Sequence, residues 1–183
     1  MPHEISDMPL VLPVAGLPPF VPTVIDSLAF AQDGRVIEGA VPLAHLPRLA
    51  GGLLEQRGSR GSLGVRLRGW QDEEGKHWLH LVVQGSVLVQ CQRCLEGVDL
   101  PLGIDVVLQL IAPGETWPDD ELIDDEADAI AADQALDVLS LIEDEVLLAL
   151  PIAPLHGQCE LPLVAGNGFE LSSFAALAAL KKH

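Results

Sequence analysis

The sequence predicts an α+β fold, in which an antiparallel β-sheet built as a meander is covered by a few short helices. Residues 63–68, 77–90 and 98–111 show the alternating or continuously apolar patterns that are typical of strands. Short connections between them favour antiparallel neighbours. Residues 137–150 instead repeat apolar side chains at helical spacing and are followed by Pro151, which cannot continue a helix.

The length of 183 residues suits one domain with a tail. We assign residues 1–22 to a Pro-rich extended arm, because its six prolines exclude a helix, and residues 23–183 to a single domain. Residues 113–134 are acidic and rich in turn-forming residues, so we interpret them as an exposed loop.

Elements at both ends of the domain are predicted from weaker patterns. Residues 23–30 suit a strand that returns through the Asp33-Gly34 turn to pair with residues 35–40 as a hairpin. Residues 43–54 suit a short helix. A last helix is expected to present three apolar positions on one face: Phe174, Leu177 and Leu180.

The helix at residues 137–150 has the most regular pattern in the chain, and Asp137 can cap its first turn. We interpret Glu143, Asp144 and Glu145 as a solvated face rather than as catalytic carboxylates. The stripe expected in the core consists of Leu139, Ile142, Val146 and Ala149, widened by Val138, Leu141 and Leu148.

The formal net charge is −17, which opposes contact with phosphate backbones and anionic membranes. The charge is uneven, however. Five arginines and one acid lie between Arg48 and Arg68, whereas thirteen acids and no Lys or Arg lie between Glu115 and Glu145. The basic segment and the acidic segment therefore suit different partners.

A cytoplasmic location is expected from three features. No uncharged apolar run reaches eighteen residues, so no membrane span is predicted. The N-terminus lacks the basic region and apolar core of a signal peptide. The three cysteines cannot all pair with one another, and two of them form C-x-x-C, which favours a reducing compartment.

The cysteines and one histidine form the candidate metal site. Cys91 and Cys94 lie at a predicted strand turn, and His156 and Cys159 follow the helix as H-x-x-C. Four ligands of these types are what a closed structural zinc site requires. A redox pair is the weaker alternative, because a strand rather than a helix N-terminus follows the C-x-x-C motif. The third alternative is that all three cysteines are free thiols.

Three patterns in the second half of the chain resemble one known family. They are V-x-V-x-C-x-R-C at residues 87–94, an acidic helix that ends in L-A-L-P at residues 148–151, and F-A-x-L-A-x-L-K at residues 174–181. In order and approximate spacing, residues 87–182 resemble the YceD family of large ribosomal RNA subunit accumulation proteins. Some relatives carry more cysteines after the helix, whereas this chain has only His156 and Cys159 there.

The resemblance implies a non-enzymatic role in the accumulation of 23S ribosomal RNA and in building the large ribosomal subunit. It also implies large-subunit protein L32 as a partner, because the two genes commonly lie side by side. A metal-dependent hydrolase is least favoured, since no motif supplies a general base beside an open metal position.

Two modes of action stay open. In the first, which charge favours, an acidic segment binds a basic ribosomal protein. In the second, an arginine patch contacts ribosomal RNA phosphates. The candidate protein-binding residues are Asp124, Asp125, Glu126 and Asp128, and the candidate RNA-binding residues are Arg57, Arg60, Arg66 and Arg68.

Overall fold

A computed structural model describes residues 16–54, 61–117 and 127–159. It contains seven strands: β1 (Val24–Ile25), β2 (Val36–Pro42), β3 (Ser62–Gln71), β4 (His77–Gln90), β5 (Gly97–Ile111), β6 (Ala127–Ala131) and β7 (Leu136–Asp137). The helices are α1 (Ser27–Gln32), α2 (Pro47–Gly52) and α3 (Val138–Ala149), and a 3₁₀ turn spans Leu43–His45.

Most of the strands form a five-stranded sheet in the order β2-β3-β4-β5-β6, and β1 pairs with β7 in a separate two-stranded sheet. The strands β3 to β5 are an antiparallel meander, as predicted; β2 extends it by pairing antiparallel with β3, and β6 adds a parallel edge beside β5. The apolar β4 lies at the centre, which explains why both of its faces carry apolar residues. The α+β prediction is confirmed.

The core lies on the face of the sheet that the helices cover. Helix α1 packs on β3, and α3 packs on β4 and β5. The approach of α1 is close at Gly69, where a Cβ would lie 2.8 Å from the Cα of Ala31. The sheet contributes buried apolar side chains from alternate positions of its strands: Leu63, Val65, Leu67, Leu79, Leu81, Val83, Leu108 and Leu110.

The strand predicted at residues 23–30 is wrong for most of its length. Only Val24 and Ile25 are extended, and α1 begins directly afterwards. The carboxylate of Asp26 caps this helix by accepting a hydrogen bond from Ala29 N at 3.0 Å. The predicted hairpin is therefore also wrong, because β2 pairs with β3 instead.

Other connections differ from their predictions. The interpretation of residues 113–134 as one loop is wrong at Ala127–Ala131, which is β6. The helix expected at residues 43–54 is divided into the 3₁₀ turn and α2, because Pro47 starts a new helix. In the described part of the Pro-rich arm, Phe20 is buried, and its N–H donates to the carbonyl of Ala40 at 3.1 Å.

The prediction for α3 is confirmed in its limits and its cap, since Asp137 accepts hydrogen bonds from the N–H groups of Leu139 and Ser140. The prediction of which α3 side chains are buried is partly wrong. Ile142 and Val146 are fully buried, but Leu148 is 79% exposed, because it lies about 200° around the helix from Val146, on the opposite face. Glu143, expected in solvent, is only 3% exposed.

The predicted helix through Phe174, Leu177 and Leu180 lies outside the described residues. Within the described ranges, no helix combines the length and the apolar character needed to cross a membrane.

Candidate metal centre

The first half of the centre is the tip of the β4–β5 hairpin. The chain reverses there through residues 91–96, which we call the tip loop. The N–H of Cys91 donates to Glu96 O at 2.8 Å, and the N–H of Leu95 donates back to Cys91 O at 2.9 Å. Leu95 adopts a positive φ of 66°, which lets the loop close tightly. These bonds hold Cys91 and Cys94 on one side of the loop.

The second half follows α3. Pro151 ends the helix, and the chain then runs without helix or strand to Cys159. The N–H of Gln92 in the tip loop donates to Pro154 O at 2.9 Å, which fixes this segment against the hairpin. Arg93 Nη1 donates to Cys159 O at 3.3 Å. Two pieces of chain that are distant in sequence are therefore joined side by side.

The four predicted ligands converge between these pieces. The candidate ligand atoms of Cys91, Cys94, His156 and Cys159 all lie within 4.8 Å of one another. The Sγ atoms of Cys91 and Cys159 are 3.8 Å apart. Cys94 Sγ lies 3.2 Å from His156 Nδ1. Tetrahedral zinc, with Zn–S near 2.3 Å and Zn–N near 2.05 Å, requires separations of about 3.8 Å and about 3.6 Å. The donor set and its spacing fit zinc.

The imidazole of His156 is oriented for such a role. Its Nε2 lies 3.0 Å from the carbonyl oxygen of Gly97. A carbonyl oxygen only accepts hydrogen bonds, so Nε2 is a donor, which leaves Nδ1 as the ring nitrogen that can present a lone pair to a metal beside Cys94. A backbone carbonyl behind a histidine is the usual arrangement around a metal.

The backbone also prepares Cys91 for binding. Burial raises the pKa of this thiol, but the N–H groups of Cys94, His156 and Arg93 outweigh that effect and lower the pKa to about 5. The His156 N–H lies 3.5 Å from Cys91 Sγ. By contrast, burial and the neighbouring thiols of Cys91 and Cys94 raise the pKa of Cys159. The cluster thus already favours one thiolate, the form in which cysteine binds a metal.

Four protein ligands would fill a tetrahedral shell, so the arrangement suits a structural site rather than a catalytic one. The redox alternative is not favoured by the geometry. The C-x-x-C motif leads into β5, so no helix N-terminus stabilises a reactive thiolate there.

The candidate RNA-binding arginines in the described part of the chain differ in how freely their side chains could contact RNA. Arg66 is bound by Glu38, with Nη2 to Oε2 at 2.6 Å, and its side chain is only 17% exposed. Arg68 is exposed on the same strand, β3. Arg57 and Arg60 lie outside the described residues.

Of the four candidate protein-binding residues, Asp128 is the one in the described part of the chain, and it is exposed on β6. Asp124, Asp125 and Glu126 lie outside the described residues. The negative charge of Asp128 acts on Glu145 in α3. Burial, and then the charges of Asp128 and Asp144, raise the pKa of Glu145. The acidic surface therefore continues from β6 onto the helix.

Sequence reasoning missed a polar clamp between α2 and α3. Arg48 Nε donates to Glu143 at 2.7 Å and Nη1 donates to Asp144 at 2.6 Å. The other carboxylate oxygen of Glu143 accepts from Leu49 N at 3.0 Å. The i, i+3, i+7 pattern of α3 places Glu143 beside the buried Ile142, but no local signal identifies a partner 95 residues away.

Comparison with known proteins agrees with the resemblance noted above. The model of the family described as "Large ribosomal RNA subunit accumulation protein YceD" matches residues 79–181, more than half of the chain. This region includes all four candidate metal ligands. No curated protein and no solved structure matches the chain significantly.

Proposed function

Because the chain belongs to the YceD family, we propose that it is a non-enzymatic factor that supports the accumulation of 23S ribosomal RNA and the assembly of the large ribosomal subunit. The family description supports the ribosomal role. The closed geometry of the four-ligand cluster supports a structural rather than a catalytic use of metal.

The molecular action that we propose is binding of a basic large-subunit ribosomal protein, with L32 as the first candidate. The observation that carries this choice is that Asp128 on β6 lies close enough to Glu145 on α3 for its charge to help raise the pKa of Glu145, so acids of the two elements are neighbours. The repulsion between like charges, which raises the pKa of a neighbouring carboxyl group, is relieved when a cationic partner approaches. Direct RNA binding is less favoured, because Glu38 already binds Arg66 and the net charge is −17.

Charge neutralisation tests the choice. The double variant Asp128→Asn and Glu145→Gln should weaken capture of the basic protein from large-subunit proteins extracted from purified ribosomes. Glu73→Gln, an exposed acid in the turn between β3 and β4, is the matched control. Raised salt should mimic the double variant, because exposed charges are screened beyond about 8 Å at physiological ionic strength.

The RNA alternative predicts a different result. Arg68→Ala would then weaken binding of purified 23S ribosomal RNA and flatten its salt dependence. If the double variant retains its protein partners while Arg68→Ala loses RNA, the protein-binding proposal is wrong. Neutralising Asp124, Asp125 and Glu126 as well extends the test to the rest of the acidic segment.

We further propose that Cys91, Cys94, His156 and Cys159 bind one zinc ion, which would fasten the segment after α3 to the hairpin tip. Elemental analysis of protein purified without added metal should find about one equivalent of zinc. Cys94→Ser should lose most of it, whereas Ser86→Ala, an exposed position on β4, should not. Equal zinc content in the two variants would contradict the assignment.

A further inference from the structure

Arg93 links the two halves of the candidate metal centre. Its backbone belongs to the tip loop, between the candidate ligands Cys91 and Cys94. Its side chain reaches the other half, where Nη1 donates to the carbonyl oxygen of Cys159 at 3.3 Å. Arg93 therefore lies between two of the cysteines in sequence and is hydrogen-bonded to the third.

Cys159 is the candidate ligand whose position depends most on such a contact. The segment after α3 is bound to the hairpin at two earlier points, through Gln92 N to Pro154 O and through His156 Nε2 to Gly97 O. Within the described ranges, the guanidinium group is the only group that hydrogen-bonds to the backbone of Cys159. This segment contains neither helix nor strand, so the arginine is what holds its last described residue in place.

The sulfur of Cys159 also lacks the support that the backbone gives to Cys91. The N–H groups of Cys94, His156 and Arg93 face Cys91 Sγ. In the part of the chain that the structure describes, the groups that contact Cys159 Sγ are instead the other two thiols. Backbone N–H groups stabilise a bound thiolate, whereas neighbouring thiolates repel it. A positive charge is therefore needed more at Cys159 than at Cys91.

Charge counting shows what the arginine adds. Three cysteine thiolates and one neutral imidazole carry −3, so a Zn²⁺ ion leaves a charge of −1 on the cluster. Arg93 is the only Lys or Arg in the tip loop and in residues 150–159. It keeps its positive charge, because it binds a carbonyl oxygen and forms no ion pair with a carboxylate of the described residues. Its side chain is half-buried, so solvent screens this charge less than it would on the surface.

We propose that Arg93 is the positioning residue of the metal centre. Its guanidinium group holds Cys159 against the hairpin tip and offsets the surplus negative charge of the three thiolates. With Arg93, four protein ligands close the shell. Without it, Cys159 is the ligand that leaves, and water takes the fourth position. The proposal rests on the proposed zinc site, because it concerns how that site retains its ion.

Substitutions of Arg93 separate its charge from its hydrogen bond. Arg93→Gln should weaken zinc binding roughly tenfold to a hundredfold in a chelator competition, the usual range for groups that support metal ligands. Arg93→Lys keeps the charge without the guanidinium group and should lose less affinity. Arg35→Gln is the matched control, because Arg35 is exposed just before β2, towards the end of the sheet away from the tip loop. It should bind zinc as the native chain does.

Cobalt(II) in place of zinc shows which ligand is lost. The thiolate-to-cobalt charge-transfer band grows with the number of bound thiolates. At saturating cobalt, Arg93→Gln should therefore give a band about one-third weaker than the native chain, since one of three thiolates is lost. Cys159→Ser should give the same weakened band.

The double variant tests whether Arg93 acts through Cys159. In the Cys159→Ser background, two thiolates already balance the charge of the ion, so adding Arg93→Gln should have little further effect on zinc affinity. Unfolding would instead remove the affinity that remains in this background, so the comparison separates positioning from a general loss of structure.

The outcomes distinguish this role from the zinc site itself. If the native chain contains zinc and Arg93→Gln binds zinc and cobalt as the native chain does, the metal site stands and the positioning role is wrong. A full additional loss in the double variant, or equal losses in Arg93→Lys and Arg93→Gln, also overturns the proposal. If the native chain binds no zinc, the metal site and the role of Arg93 are both wrong.

Discussion

Glu143 provides the sharpest test of the packing between α2 and α3. Its side chain is buried, and it accepts hydrogen bonds from Leu49 N at 3.0 Å and from Arg48 Nε at 2.7 Å. Glu143→Ala would leave the buried Leu49 N–H without an acceptor, at a cost of about 1–3 kcal/mol. The lost ion pair adds about 0–1 kcal/mol, because Arg48 is half-exposed, and the lost methylene adds about 0.8 kcal/mol. The free energy of unfolding should therefore fall by roughly 2–5 kcal/mol.

Asp144→Ala is the matched control. Asp144 binds the same arginine at 2.6 Å, but its side chain is 54% exposed, so its loss should cost about 0–1 kcal/mol. Glu143→Gln keeps an acceptor for Leu49 N and should cost less than Glu143→Ala. Urea unfolding followed by tryptophan fluorescence measures all three variants. If Glu143→Ala and Asp144→Ala destabilise the protein equally, the clamp does not act as described.

Three further predictions concern the core, the sheet and the acidic surface. Ile142→Ala should lower the free energy of unfolding by about 2–5 kcal/mol, since Ile142 is fully buried in α3; a urea midpoint close to the native value would contradict this. Gly69→Ala should lower the thermal midpoint, because its Cβ would meet the backbone of Ala31 at 2.8 Å, and an unchanged midpoint would refute that close approach. Glu145→Gln should stabilise the protein at pH 7 by roughly 0.2–1 kcal/mol, the range of exposed charge pairs. Because the pKa of Glu145 is raised in the folded protein, its ionised form destabilises the fold. This destabilisation grows as pH rises from the unfolded pKa of about 4.3 through the folded pKa. The stability gained by Glu145→Gln should therefore vanish near pH 4.

Patterns that are local in sequence were predicted correctly. The strands β4 and β5 have long apolar patterns, and α3 has a capping aspartate and a terminating proline. None of these three elements needed tertiary information to be predicted. The four candidate ligands were also identified, because their residue types and spacings limit the chemistry. Their convergence was confirmed only by the structure, since 61 residues separate the two halves and no local rule brings them together.

Features that depend on distant partners were predicted incorrectly. Residues 27–32 are a partial exception, because Leu28, the alanines and Gln32 favour a helix and Asp26 caps it locally; the strand prediction overlooked these signals, and only the packing against Gly69 depends on a distant partner. The short β6 has an alanine-rich, acidic sequence and is a strand because it pairs with β5. Glu143 belonged to a run of three acids, and its burial follows from Arg48 and Leu49 on another helix.

The contact between Cys91 and Cys159 also bears on the unfolded chain. These residues are 68 positions apart, and the interval between them contains β5, β6, β7 and α3. A zinc ion held by both would act as a cross-link that closes this interval into a loop. By the chain-entropy estimate for a cross-link of this span, it would disfavour the unfolded state by about 4 kcal/mol. Chelation should then destabilise the enclosed strands and helix together, and hydrogen exchange should accelerate throughout the loop rather than only beside the cysteines.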